Sequence, residues 1–194
     1  AHAQRADPSE AAGETTHFSV VDADGMAVSV TQSIDSYFGA RVAHPTLGFL
    51  YNNYMQTFEV NSRGRPFALG PNKPPFSSMS ATIVARDGRP VLVLGSPGSA
   101  RIISAVTQVL SHWVDVEPDI EAATAAPRVH VTLPATAYLE QSILDPELLS
   151  ALGEAGFRLR RQAFGLSDTG LDPYFGGIHA IAREGADGGW RGAA

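Results

Sequence analysis

The chain has 194 residues, 44% of them hydrophobic and 18% charged, with a formal net charge of −6 and no cysteine. That composition suits one globular unit and excludes disulfides, thiolate zinc sites and cysteine nucleophiles. The 14 basic residues are scattered rather than gathered in a stripe, so nothing points to nucleic acid, and no apolar run approaches the ~20 residues a membrane-spanning helix needs.

Residues 1–14 (AHAQRADPSEAAGE) are small and polar, without periodicity or an apolar export signal. They read as a flexible leader or the tail of another segment. Two hairpins follow. His17–Asp22 and Met26–Ile34 flank Ala23-Asp24-Gly25, and Ala81–Ala85 and Pro90–Gly95 flank Arg86-Asp87-Gly88. Asp-Gly between β-rich runs is a strong turn signal, because glycine accepts the positive φ required. Between the hairpins, residues 61–80 are rich in proline and read as loop.

After the second hairpin, Ser99–Val114 reads as a helix. Ile102, Ile103, Val106, Val109, Leu110 and Trp113 share one face, Gly98 ends the preceding turn and Ser99 stands at the cap position. Shorter helices are expected over Asp119–Ala125, ahead of Pro127, and over Pro146–Ala155, closed by Gly156. Strands are expected near Arg158–Gln162 and Gly177–Ala182. Strand pairs alternating with helices indicate α+β layers. The six histidines lack HExxH or HxH spacing, so neither a metal nor another cofactor is expected; His17 and His130 read as structural, with His17 pointing away from the active side of its strand.

The segment Thr15-Thr16-His17-Phe18-Ser19-Val20-Val21 carries the chemistry. A threonine at a strand edge is ordinary while the chain is continuous. If the Glu14–Thr15 bond is cut, the freed α-amine can act as base for the hydroxyl of its own residue, one of the recognised ways of activating a weak nucleophile.

Residues 15–39, TTHFSVVDADGMAVSVTQSIDSYFG, resemble the signature of the γ-glutamyltranspeptidase family. That signature begins Thr-(Ser/Thr/Ala)-His, later runs Thr-x-Thr-aliphatic-(Asn/Glu), and ends aromatic-Gly. Three positions depart: Met26 stands where Ser or Asn is usual, Ser33 replaces the second Thr, and Asp35 replaces Asn or Glu. The resemblance continues through Gly48-Phe49-Leu50-Tyr51-Asn52-Asn53, Gly70-Pro71-Asn72-Lys73-Pro74-Pro75-Phe76-Ser77-Ser78-Met79-Ser80, Gly95-Ser96-Pro97-Gly98-Ser99-Ala100-Arg101-Ile102-Ile103 and Ala126-Pro127-Arg128-Val129-His130.

The resemblance implies the small-subunit half of a four-layer αββα N-terminal-nucleophile hydrolase sandwich, with residues 1–14 ahead of a self-cleavage site and residues 15–194 as the catalytic subunit. Its partner would be the large N-terminal subunit of the same precursor, and its compartment periplasmic or extracellular. By the same resemblance Thr15 is the nucleophile, Ser33 orients it, and the backbone N–H groups of Gly98 and Ser99 form an oxyanion hole. Ser77 and Ser78 would hold the α-carboxylate of a γ-glutamyl substrate.

Asp35, Tyr54 and Thr57 occupy the places that cradle its α-ammonium, with Tyr54-Met55-Gln56-Thr57 standing against Gln/Glu-Met-Asp-Asp in the family. Neutral Thr57 replaces a carboxylate there, and the loop before Lys73 is short, implying an open pocket that favours hydrolysis. Two further readings stay open: an amidase of the same fold for acyl groups without an α-amine, such as glutaryl, like the cephalosporin acylases; and an uncut, inactive homologue.

Overall fold

Both Asp-Gly turns form. At the second, Asp87 (φ 52°) and Gly88 (φ 75°) both take the left-handed conformation, the pairing whose twist matches two antiparallel strands. At the first, Gly25 has φ 86°, and the Asp22 carboxylate accepts from the N–H groups of Asp24 (3.0 Å) and Met26 (2.8 Å). The computed structural model describes residues 13–62, 64–140, 142–143, 145–161, 173–185 and 188–194.

The elements run β1 (Gly13–Val21), β2 (Ala27–Ser36), β3 (Thr82–Arg86), β4 (Arg89–Gly95), α1 (Ile102–Ser111), α2 (Ile120–Ala125), β5 (Val129–Thr132), β6 (Thr136–Leu139), α3 (Pro146–Glu154), β7 (Arg158–Arg161), β8 (His179–Arg183) and β9 (Trp190–Ala193). The first strand starts at Gly13, so the last two residues of the expected leader are extended chain; residues 1–12, and Gln162 at the end of an expected strand, lie outside the described residues. Strands β5, β6 and β9 are additions to the sequence reading.

Strands β3-β4-β8-β9 form one antiparallel sheet. The β1–β2 hairpin packs on one face of it, and α1 and α2 cover the other. The period of two along β4 turns Leu92 and Leu94 toward the helices, where they meet Ile102, Ala105, Val106, Val109, Trp113, Ile120 and Ala123, with Ala180 and Ala182 of β8. Each fully buried Leu or Ile in this layer contributes roughly 1.5–3 kcal/mol. These are three layers of the expected four; among the described residues no helix covers the outer face of the hairpin, where Phe18, Val20 and Val28 stay exposed.

The long helix differs from expectation at its start. Gly98 (φ 136°) and Ser99 (φ 56°) are both left-handed, a one-turn 3-10 helix spans Ser99–Arg101, and only then does α1 begin. Ser99 therefore does not cap with its side chain, and Ile103, expected on the buried face, is 51% exposed. A short π-helix, His112–Val116, follows α1. Helices α2 and α3 are capped by the carboxylates of Asp119 and Asp145. A smaller sheet pairs β5 with β6 antiparallel and β6 with β7 parallel, with α3 as the crossover. It is tied to α1 by Gln108, whose amide bonds both the N–H and the carbonyl of Val129 at 2.8 Å.

Candidate active site

The hairpin register places Thr15 opposite Ser33 and His17 opposite Thr31, with an irregularity between Glu14 and Thr15. Residue Ile34 is thereby skipped, and Asp35 adopts a left-handed φ of 73°, a conformation sparsely populated by residues other than glycine. The bulge sits at the junction between residues 14 and 15. There the Thr15 hydroxyl donates to Ser33 Oγ at 2.9 Å, and the Ser33 hydroxyl donates to the carbonyl oxygen of Glu14 at 2.9 Å. Ser33 Oγ also accepts from the Asp35 N–H at 2.9 Å. A line of hydroxyls thus leads from the nucleophile candidate to the carbonyl immediately before it.

The line continues through Asp35. Its carboxylate accepts from the Gln56 amide at 2.5 Å, and the same amide nitrogen donates to Ser36 Oγ at 2.8 Å. Gln56 lies in a one-turn 3-10 helix, Tyr54–Thr57. Asn53, just before that turn, accepts from the Ser36 N–H and donates to its hydroxyl, each at 3.0 Å. The Thr57 hydroxyl meets two backbone carbonyls, of Tyr54 at 2.8 Å and of Phe76 at 3.1 Å. The second contact joins this turn to the segment carrying Ser77 and Ser78.

Ser78 in turn donates to the carbonyl of Ser99 at 2.6 Å. Ser77 is spent locally, accepting from the Met79 N–H at 3.2 Å. Thr15, Ser33, Asp35, Thr57, Ser78 and Ser99 are therefore linked, by hydrogen bonds or by immediate chain neighbours, into one continuous band. Tyr54 enters through its carbonyl, Ser77 through its neighbours and Gly98 through the peptide to Ser99. Among the described residues no side chain caps the helix start after Gly98 and Ser99; the Arg101 N–H donates to the Gly98 carbonyl at 3.1 Å, and the first N–H groups of a helix have no partner within it.

Sequence reasoning missed three contributors. Gln56 lies inside a quoted motif, but its pairing with Asp35 bridges 21 residues. Asn53 belongs to the Asn-Asn pair of another motif. Gly176 presses on the Gly95–Ser99 turn: a Cβ on Gly176 would lie 2.5 Å from Ser96 Oγ and 2.9 Å from the Pro97 carbonyl. The adjacent Gly176-Gly177 was the available signal.

The histidines also need one correction. His17 does not point away from Thr15; alternate residues of a strand share a face, and the register puts both side chains on the face toward the four-stranded sheet. Its ring is buried, with Nδ1 2.7 Å from Thr31 Oγ1 and Nε2 3.0 Å from Ser19 Oγ. Burial, with a smaller contribution from His179, lowers its pKa from 6.5 to about 4, so the ring is neutral near pH 7. His130 is held 2.8 Å from Ser104 Oγ on α1. It lines a shallow cleft beside Ile103 that includes none of the predicted site residues.

A sequence model of the family described as Gamma-glutamyltranspeptidase matches residues 1–194. The glutathione hydrolase proenzyme of Bacillus subtilis (strain 168) is 34% identical over 182 residues, covering 94% of this chain and 29% of that protein. The acylase ACY 1 proenzyme of Pseudomonas sp. (strain V22) is 35% identical over 162 residues, covering 82% and 29%. Among solved structures, the γ-glutamyltranspeptidase of Pseudomonas nitroreducens superposes with a TM-score of 0.75 at 35% identity, covering 92% of this chain and 93% of that one. The chain spans under a third of the length of the curated relatives it matches, and its layers are those of an N-terminal-nucleophile hydrolase. With the match running end to end and relatives above 30% identity, the chain belongs to the γ-glutamyltranspeptidase family.

Proposed function

We propose that this chain is the catalytic part of an N-terminal-threonine amidohydrolase that first cuts its own precursor between Glu14 and Thr15. The observation that carries this is the Thr15–Ser33–Glu14 hydrogen-bond line. In the cut, Thr15 Oγ attacks the Glu14 carbonyl carbon while Ser33 holds the oxygen on which negative charge develops. The hydroxyl proton passes to the Thr15 nitrogen, which leaves as an amine as its bond to the Glu14 carbon breaks, giving an ester between Glu14 and the Thr15 side chain. Water then hydrolyses the ester to a Glu14 carboxylate and a free Thr15 hydroxyl.

The released α-amine has a reference pKa of about 8, which suits a general base near neutral pH. It takes the Thr15 hydroxyl proton as Oγ attacks the side-chain amide of a γ-glutamyl substrate. The backbone N–H groups of Gly98 and Ser99 receive the oxyanion, and the Thr15 ammonium returns a proton to the leaving amine. Water or an acceptor amine then releases the acyl group from Thr15. The names of the relatives, glutathione hydrolase proenzyme among them, support this class of reaction. The partner is the remainder of the precursor. The exposed apolar face of Phe18, Val20 and Val28 suits the covering layer that the described residues lack.

One observation favours a second reading of the acyl pocket. The Thr57 hydroxyl donates to two backbone carbonyls, and one oxygen of the Asp35 carboxylate accepts from Gln56, so position 57 brings an α-ammonium no charge. A half-amide without an α-amine, such as glutaryl, suits that wall, and acylase ACY 1 is among the relatives.

Intact mass of the full precursor tests the first reading. A fragment beginning at Thr15, absent in Thr15→Ala, is expected; an uncut chain without activity would instead identify a non-processed homologue. Turnover of γ-glutamyl- against glutaryl-p-nitroanilide tests the second. Thr57→Asp should raise the γ-glutamyl to glutaryl ratio about tenfold or more, the scale of one buried charge pair; an unchanged ratio shows that Thr57 does not set specificity.

A further inference from the structure

We propose that His17 is a positioning residue, a spacer that fixes the strand of the nucleophile against the turn carrying Gly98 and Ser99. The inference rests on the reading of Thr15 and of that turn given above. His17 stands two residues from Thr15 on the same face of β1 and is 2% exposed. Its ring lies so close to Gly95 that a Cβ there would collide with Cε1 and Nδ1 and sit 2.8 Å from Nε2. Gly95 ends β4 and opens the Gly95-Ser96-Pro97-Gly98-Ser99 turn. The ring therefore occupies the volume that any side chain at position 95 would need.

The other side of the turn is equally confined. A Cβ on Gly98 would come within 3.0 Å of Gly176 Cα, and one on Gly176 would strike Ser96 Oγ. The turn is held between an imidazole and a glycine backbone, with no slack on either side. The imidazole is itself locked. Thr31 and Ser19, both on the hairpin, engage its two nitrogens, so rotating the ring breaks at least one bond. Ser29 of β2 donates to the Leu94 carbonyl at 3.1 Å, anchoring the hairpin to β4 one residue from the contact.

His17 is thus rigidly attached to the strand of Thr15 and in van der Waals contact with the strand that delivers the oxyanion turn. Both of its ring nitrogens are taken by hairpin hydroxyls rather than by Thr15. Its effect is on distance, and a misplacement of about 1 Å between reacting groups costs on the order of 10²-fold in rate.

The test uses the full precursor carrying His17→Ala, Gly95→Ala and the two together. Readouts are the rate of self-cleavage by intact mass, and kcat and KM on γ-glutamyl- and glutaryl-p-nitroanilide. Gly95→Ala alone should drive its methyl into the ring and lower kcat on the order of 10²-fold while KM changes little. In the double variant the methyl takes up part of the vacated space, and kcat should recover about tenfold over Gly95→Ala. His17→Ala should keep the shape of the wild-type pH–rate profile.

Thermal midpoints separate displacement from unfolding, and His17→Gln, still planar and polar, should retain more kcat than His17→Ala at an equal midpoint. Losses that simply multiply in the double variant, or an altered pH profile in His17→Ala, overturn the spacer role while leaving Thr15 as nucleophile. A wild-type precursor that neither cuts nor turns over either substrate overturns both.

Discussion

Replacing Ser33 with alanine removes one oxygen that three groups share. The Thr15 hydroxyl loses its acceptor, the Asp35 N–H loses its acceptor, and the Glu14 carbonyl loses its donor, each from a contact of 2.9 Å. Neutral hydrogen bonds are worth about 1 kcal/mol net each, and water partly replaces these because the site is only part-buried, so the folded state should lose about 1–2 kcal/mol. The kinetic loss is larger. In the proposed self-cleavage Ser33 is the donor on the carbonyl under attack, and removing such a donor costs about 2.7–4 kcal/mol, or 10²–10³ in rate. Ser33→Thr keeps the oxygen and adds a methyl, so it should cut at close to the wild-type rate.

The assay is a time course of intact mass on purified full-length precursor, with urea denaturation run in parallel to show that each variant is folded. If folded Ser33→Ala cuts within about threefold of wild type, well under the 1.36 kcal/mol that marks a tenfold change, the hydroxyl line plays no part in the reaction.

Stability should depend on pH through His17. Its folded pKa is about 4 against an ordinary value of 6.5, so between those values the unfolded chain binds more protons than the folded one. Stability therefore rises with pH across that window and falls on acidification from 6.5 toward 4, by up to about 3 kcal/mol. Urea midpoints of wild type and His17→Gln should diverge above pH 6 and converge near pH 4; parallel curves refute the assignment. A second stability prediction concerns Glu140, fully buried beside Arg128, with Oε1 3.6 Å from Arg128 Nη2 and Oε2 accepting from the Arg128 N–H at 2.7 Å. Glu140→Ala strands a buried guanidinium and should cost about 3–5 kcal/mol in urea denaturation, whereas a loss below about 1 kcal/mol would show the pair to be dispensable.

Much of the site was legible because its motifs are compact. Thr15 and Ser33 were read from one stretch of 25 residues, and their contact follows from a hairpin whose turn was also legible. Ser78 and Ser99 were each identified, but nothing local indicates that a hydroxyl of one meets the carbonyl of the other. The orientation of His17 was misjudged, although the period of two along a strand places it beside Thr15. Gln56 carried no signal of its own, because its partner Asp35 comes near only once the 3-10 turn docks on β2.

The amino-acid order by itself determined the hairpins, the amphipathic α1, the stop of α2 ahead of Pro127 and the closure of α3 at Gly156, since each depends on φ preferences and apolar spacing within a few residues. Tertiary structure alone decided the short strands β5, β6 and β9, each fixed by the strand it pairs with. It also decided the left-handed entry into α1, where Ser99 takes φ 56° just after Gly98, at which Gly176 leaves no room for a side chain. Close approach between segments tens of residues apart is a property of the packed chain. It has no counterpart in any window of the sequence, and the reactive geometry around Thr15 depends on it.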